Sequence, residues 1–154
     1  MQVQGYKVFC KNKVKRSKFG RAPGGIAICV KDNIKCEVIE TPTKCNDVMW
    51  VLLNGEEEII IGATYNHPVN SKFTNEHFFE ELEEEVGYLD VNYAGTKRVI
   101  VGDFNARTGT QMEWELTPRR KYGETEIERE IQLDSRNNQD KEINTAGRRL
   151  INFL

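Results

Sequence analysis

The stretch Val99-Ile100-Val101-Gly102-Asp103-Phe104-Asn105-Ala106 decides how this chain is read. Three β-branched residues run into a glycine. An Asp and an Asn then follow, two positions apart, as the apolar run stops. A short apolar run bounded by a turn signal reads as a buried strand. In α/β folds, chemistry gathers where such strands end. Positions two apart in extended chain point to the same side. The octet therefore predicts Asp103 and Asn105 facing one ligand, with Phe104 turned back into the core. A carboxylate beside an amide suits a divalent metal or a polarised phosphate, because one supplies charge and the other both an acceptor and a donor. The same residues also read as a β-turn, since Gly, Asp and Asn are common turn formers. On the octet alone both readings stand.

Outward from the octet, the spacing predicts strand at 97–102, with a turn over Asn92–Thr96 before it. A helix is predicted over 75–89, where Phe78, Phe79, Leu82, Val86 and Leu89 form one stripe. Glu76, Glu80, Glu81, Glu83, Glu84 and Glu85 read as its solvated faces, not as a metal site. Asp47–Leu53 and Glu58–Tyr65 read as a hairpin closed through Asn54-Gly55. Further strands are predicted at Gly5–Cys10, with Tyr6, Val8 and Cys10 alternating against Lys7, and at 26–30. Ile34, Cys36 and Val38 alternate as a half-buried strand would. A last helix starts near Asn144. This order of strands and helices implies a mixed sheet with helices outside. Between Arg107 and Glu142 the chain is polar and reads as a long surface loop. There are no internal repeats.

Composition bounds the rest. A chain of 154 residues is long enough for one domain burying ~70% of its unfolded surface. Four cysteines, at 10, 29, 36 and 45, show no Cys-x-x-Cys spacing, which speaks against zinc. Cys29 and Cys36 read as small core residues. No secretory apolar segment follows Met1 and no long apolar run exists, so the expectation is an intracellular protein, nuclear or cytoplasmic, off the membrane. Residues 1–21 carry seven Lys or Arg and no acid, which leaves 15 basic against 24 acidic residues in the remainder. The run Lys11-Asn12-Lys13-Val14-Lys15-Arg16-Ser17-Lys18 reads as a solvated loop. The competing readings are a phosphate-backbone contact or a nuclear-import patch, but no aromatic residue interleaves it to stack on bases.

Gly102-Asp103-Phe104-Asn105-Ala106 resembles the signature of the endonuclease/exonuclease/phosphatase superfamily, most nearly the endonuclease domain of non-LTR retrotransposon (reverse transcriptase) proteins. Three further segments fall in that family's order. Gly24-Gly25-Ile26-Ala27-Ile28-Cys29-Val30 resembles its Gly-rich entry into a core strand. Ile59-Ile60-Ile61-Gly62-Ala63-Thr64-Tyr65-Asn66-His67-Pro68 resembles the strand ending in an active-site Tyr. Asn144-Thr145-Ala146-Gly147-Arg148-Arg149-Leu150-Ile151-Asn152-Phe153 resembles the helix with Asn-x-x-Gly-x-x-Leu-x-x-Phe spacing.

The resemblance implies an α/β (α+β) fold, a partial four-layer α-β-β-α sandwich of mixed sheets with helices outside. It implies one incomplete domain over 1–154. The family's strand with a metal-binding Glu is expected before Gly5, and its Ser-Asp-His segment after Leu154. The implied activity is phosphodiester hydrolysis on DNA with Mg²⁺ or Mn²⁺. Asp103 would orient or deprotonate the attacking water. Asn105 would hold a phosphate oxygen or, with Asp103, the metal. Tyr65 would donate to a phosphate oxygen. His67 is expected near the site and His77 on the helix surface. The alternatives are an inactive remnant or a phosphatase of the same superfamily. On this reading the isolated chain is expected to be poorly soluble and nearly inactive.

Overall fold

The hairpin expected at Asn54-Gly55 forms, closed by residues 55–57 with Asn54 paired to Glu58 as the last rung of the ladder. In the computed structural model, which describes residues 2–13, 24–43, 45–110 and 138–154, β-strands at Val48–Asn54 and Glu58–Tyr65 pair antiparallel. In chain order the strands are β1 (Tyr6–Asn12), β2 (Gly25–Lys31), β3 (Lys35–Ile39), β4 (Val48–Asn54), β5 (Glu58–Tyr65) and β6 (Lys97–Asp103). The helices are α1 (Phe78–Asn92) and α2 (Thr145–Phe153). β1 and β2 form an antiparallel pair, and a four-stranded mixed sheet has the order β3-β4-β5-β6. Only β5–β6 is parallel, because α1 carries the chain back to the start of the sheet between them. The fold is α+β. The chain divides into two units, Met1–Asn105 and Ala106–Leu154. Most of the polar 107–142 segment lies outside the described residues.

In the first unit β4 is the core strand, with Val48 to Leu52 all buried. Its two faces differ in what covers them. Trp50 is 2% exposed and lies across Gly62 of β5, where a Cβ would meet the indole at 2.3 Å. Glu85 of α1 takes the Trp50 indole N–H at 2.6 Å, so α1 covers this face. β2 lies against β4 and β5 on the other.

Glu85 corrects the reading of the acidic run as solvated throughout. It is fully buried and accepts four hydrogen bonds. Its Oε1 takes the Thr41 hydroxyl (2.7 Å), the Thr43 hydroxyl (2.5 Å) and the Cys45 N–H (2.9 Å), and its Oε2 takes Trp50. A buried carboxylate persists only when its oxygens are supplied with donors, and here the β3–β4 connection supplies three. The helix itself starts three residues later than the expected 75–89. His77 precedes it and is exposed, as expected.

β1 shows the opposite side to the one expected. Across the β1–β2 ladder Phe9 faces Ile28 and Lys11 faces Ile26. Because Ile26 and Val30 are buried, this register turns Phe9 and Lys11 inward and leaves Tyr6, Cys10, Ala27 and Cys29 exposed. Cys29 is therefore not a core residue, and Cys36 is half-buried. Lys11 donates to the carbonyls of Cys45 (2.5 Å) and Val48 (2.9 Å). A lysine stem packs on apolar surface while its ammonium finds oxygen, which explains a lysine on the inner face.

All four cysteines are free, and Cys45 is buried. Burial foremost, together with the neighbouring Glu81 and Glu85 carboxylates, pushes its thiol up to about 12. The thiolate is the reactive species. In native protein at pH 8, an aromatic disulfide reagent is expected to label Cys10 and Cys29 first and Cys45 only upon unfolding. Early labelling of Cys45, located by peptide mass mapping, would refute its burial.

The second unit is organised by Asn144. Its side-chain oxygen caps α2 by accepting from Gly147 N–H at 2.7 Å and also takes the Arg107 N–H at 3.0 Å. A Cβ on Gly147 would lie 1.9 Å from the Arg107 carbonyl oxygen. The Asn-x-x-Gly spacing is thus a cap plus a close backbone approach. The Arg107 guanidinium grips Asp140 through two nitrogens, at 2.7 and 2.9 Å, and also pairs with Glu142. No helix among the described residues is long and apolar enough to cross a membrane.

Candidate functional site

The parallel pairing of β5 and β6 sets Tyr65 directly opposite Asp103. Register partners leave a sheet on the same side, about 5 Å apart along the hydrogen-bonding direction. Two residues 38 positions apart thus meet at the carboxyl ends of adjacent parallel strands, where open α/β sheets place their ligand sites. Tyr65 is 37% exposed and Asp103 is exposed, so both are open to solvent.

Gly102 makes this meeting possible. Its φ is +150°, and a Cβ there would lie 1.9 Å from the Thr64 carbonyl oxygen. Only a residue without a side chain lets β6 come this close to β5 at the site. Beyond the strand, the chain does not stay extended, so Asp103 and Asn105 do not share a side by alternation. Asn105 has φ +46°, and its N–H donates to Asp103 Oδ1 at 2.8 Å. This is an Asx-turn, which suits an Asn because Asn tolerates the left-handed conformation. The turn and site readings of the octet therefore describe one structure. Asn105 is brought in by its side chain: Nδ2 donates to the Asn66 carbonyl at 2.7 Å. In return, Asn66 donates from N to the Asp103 carbonyl (2.8 Å) and from Nδ2 to the Phe104 carbonyl (3.0 Å). Phe104 turns inward, its ring 6.1 Å from Phe78.

A second group of polar residues, of which the sequence reading placed only His67 near the site, flanks Tyr65. Asp47 is buried and pairs with Lys13. It also takes Asn75 Nδ2 at 3.2 Å. The Asp47 carbonyl accepts the Thr64 hydroxyl (2.7 Å) and the Tyr65 N–H (3.1 Å). Lys13 also meets His67 Nε2 at 2.5 Å, and the His67 ring stands edge-on to Tyr65 with centroids 4.8 Å apart. Burial and the Lys13 ammonium lower the His67 pKa, while Asp47 opposes them. The two described lysines of the basic run are therefore not solvated, while Asn12 between them is exposed. Lys11 and Lys13 point inward and are tied to carbonyls, a carboxylate and an imidazole. Lys15, Arg16 and Lys18 lie outside the described residues. The available signal was the partner strand, whose buried Ile26 and Val30 fix which face of β1 turns in.

Among the described residues no three His, Cys, Asp or Glu side chains cluster to hold a metal. The donors at the strand ends are the Asp103 carboxylate and the Asn105 amide, both hard oxygen ligands. That set does not make a cage. Oxygen donors of this kind are those that Mg²⁺ takes alongside phosphate and water.

No protein-family model matches the chain, and searches of curated proteins and of solved structures return no match.

Proposed function

We propose that this chain carries a metal-dependent phosphodiester-hydrolysing site that acts on DNA, as an endonuclease of the endonuclease/exonuclease/phosphatase type. The observation that supports the reading most is the β5–β6 register, which sets Tyr65 beside Asp103 and ties Asn105 to the backbone between them. Turn residues with no shared task have no reason to meet from such distant positions.

Each group has a role its chemistry allows. Asp103 is the only carboxylate among the three, so it accepts the proton of the attacking water or orients that water toward phosphorus. Its Oδ1 is already fixed by the Asn105 N–H, which limits rotation of the carboxylate. Tyr65 donates its phenolic hydrogen to a non-bridging phosphate oxygen. The Asn105 amide has two donors and one acceptor, and its bond to Asn66 fixes the plane of the amide. Preorganised donors of this kind stabilise charge that develops in the transition state without reorganising. When bound, Mg²⁺ or Mn²⁺ held at Asp103 and Asn105 would neutralise charge on the phosphate oxygens.

The test is nicking of supercoiled plasmid by the purified chain. Slow, Mg²⁺-dependent nicking is expected, close to the detection limit because the isolated chain is expected to be nearly inactive, and Asp103→Ala, which removes the general base, is expected to bring it to background. Equal nicking by Asp103→Ala, or none by the unaltered chain at high protein concentration, refutes the reading. Release of phosphate from a monoester without nicking would instead make it a phosphatase.

A further inference from the structure

Tyr65 is held from Asp47 along two routes. Its backbone N–H bonds directly to the Asp47 carbonyl. Its ring meets Asp47 indirectly, because the Asp47 carboxylate holds Lys13, Lys13 holds His67, and His67 stands edge-on against the phenol. Asn75 anchors the far end of this relay, donating to both Asp47 (3.2 Å) and Glu81 (2.9 Å). An ammonium only donates, so His67 Nε2 accepts from Lys13 and the imidazole carries its proton on Nδ1. Phe73 also packs near the His67 ring, with centroids 5.7 Å apart. A half-exposed tyrosine at a strand end is otherwise free to change rotamer. Here a buried neutral imidazole backs it.

We propose that His67 is a positioning residue for Tyr65: its neutral ring, fixed by Lys13, holds the phenol in the orientation that meets a phosphate oxygen. This rests on the phosphodiesterase reading for its purpose, but the coupling of the two rings does not. The charged groups facing His67 are Lys13, at the end of β1, and Asp47, ahead of β4. Tyr65 and Phe73 present only aromatic surface. Protonating His67 sets a second cation against Lys13, so the Lys13 contact breaks and the ring leaves Tyr65. The sign follows. The neutral form is favoured in the folded state, so the His67 arrangement is complete above its ordinary value of 6.5 and is lost as pH falls below it.

The full chain, labelled with ¹³C in its tyrosine and histidine rings, tests this by NMR, with Tyr65→Phe and His67→Phe assigning the signals. The Tyr65 ring signal is expected to shift in one step, at the same midpoint as His67 and below 6.5. Lys13→Met removes the cation that disfavours protonation and is expected to raise both midpoints by about half a unit or more. His67→Phe retains an aromatic ring and is expected to abolish the Tyr65 step while leaving the β5–β6 amide signals in place. In the nicking assay, His67→Ala is expected to lower kcat about tenfold, the cost of a misplaced group, with KM little changed, and His67→Phe to recover most of it and remove the loss at acid pH. A Tyr65 signal that ignores the His67 titration, or midpoints unmoved in Lys13→Met, overturns the proposal. Absence of nicking in every variant refutes the nuclease reading, and the resonances alone then decide the coupling.

Discussion

Glu85→Ala is expected to destabilise the first unit by roughly 2–6 kcal/mol, since each of the two buried donors left with no acceptor costs ~1–3 kcal/mol. Four donors lose their partner at once: the Thr41 and Thr43 hydroxyls, the Cys45 N–H and the Trp50 indole. The hydroxyls can turn elsewhere, but the amide and the indole cannot. A loss of this size is a large part of a typical domain stability of ~5–15 kcal/mol. The check is guanidinium unfolding followed by far-UV circular dichroism. Glu85→Gln is expected to cost less, because the amide oxygen can keep the Oε1 bonds. Its NH₂ group would then face the Trp50 N–H, donor against donor. Combining Glu85→Gln with Trp50→Phe should therefore cost less than the two changes summed. Additive costs, or a stable Glu85→Ala protein, would contradict the clamp.

Gly102→Ala is expected to be the most damaging single methyl in the site. The added carbon would start 1.9 Å from the Thr64 carbonyl oxygen, which is backbone and cannot swing away, and φ is +150°. Forcing a side chain into such a conformation costs on the order of 1–3 kcal/mol, before the clash is counted. Relief requires β6 to move away from β5, which separates Asp103 from Tyr65. The expected outcome is nicking no greater than that of Asp103→Ala, with amide signals of Tyr65, Asn66 and Asp103 displaced. The chain should keep its helices by circular dichroism. Undisturbed signals and undiminished nicking would show that the close approach at Gly102 has no bearing on the site.

Much of this was readable in the residues. Asn54-Gly55 is a short-loop turn signal, so it announced the β4–β5 hairpin, although the loop that forms is residues 55–57 and neither Asn54 nor Gly55 takes positive φ. Val99 to Asp103 gave both the last strand and the candidate site at its end. Asn144 and Gly147 marked the start of α2. Two of the failures, at Glu85 and at Lys11 and Lys13, share one cause, which is that charge was equated with solvent. Glu85 was assigned to a wet face although Phe78, Leu82, Glu85 and Leu89 are spaced four, three and four apart, the rhythm of a buried stripe. Its burial depends on Thr41, Thr43 and Trp50, and no local pattern announces that they converge. Lys13 and Asp47 likewise meet only through the fold, since neither helical nor strand periodicity relates the residue just after a strand to a turn 34 positions on. The Asp103–Asn105 pair was placed by strand alternation, but the left-handed Asn105 ended the strand first.

The mixed sheet also orders events in time. β3, β4 and β5 follow one another as a meander, and the β4–β5 pair closes across a short turn. These contacts need little chain to be gathered. The β5–β6 pair forms only after the chain has run out through α1 and returned, and closing that longer loop costs entropy before any contact repays it. Tyr65 and Asp103 sit at the far end of that pair. The meander can therefore zip without them, while their alignment is the late step of folding. β6 is also held on one edge alone, so hydrogen exchange should be faster along Val99 to Asp103 than in the central strand β4.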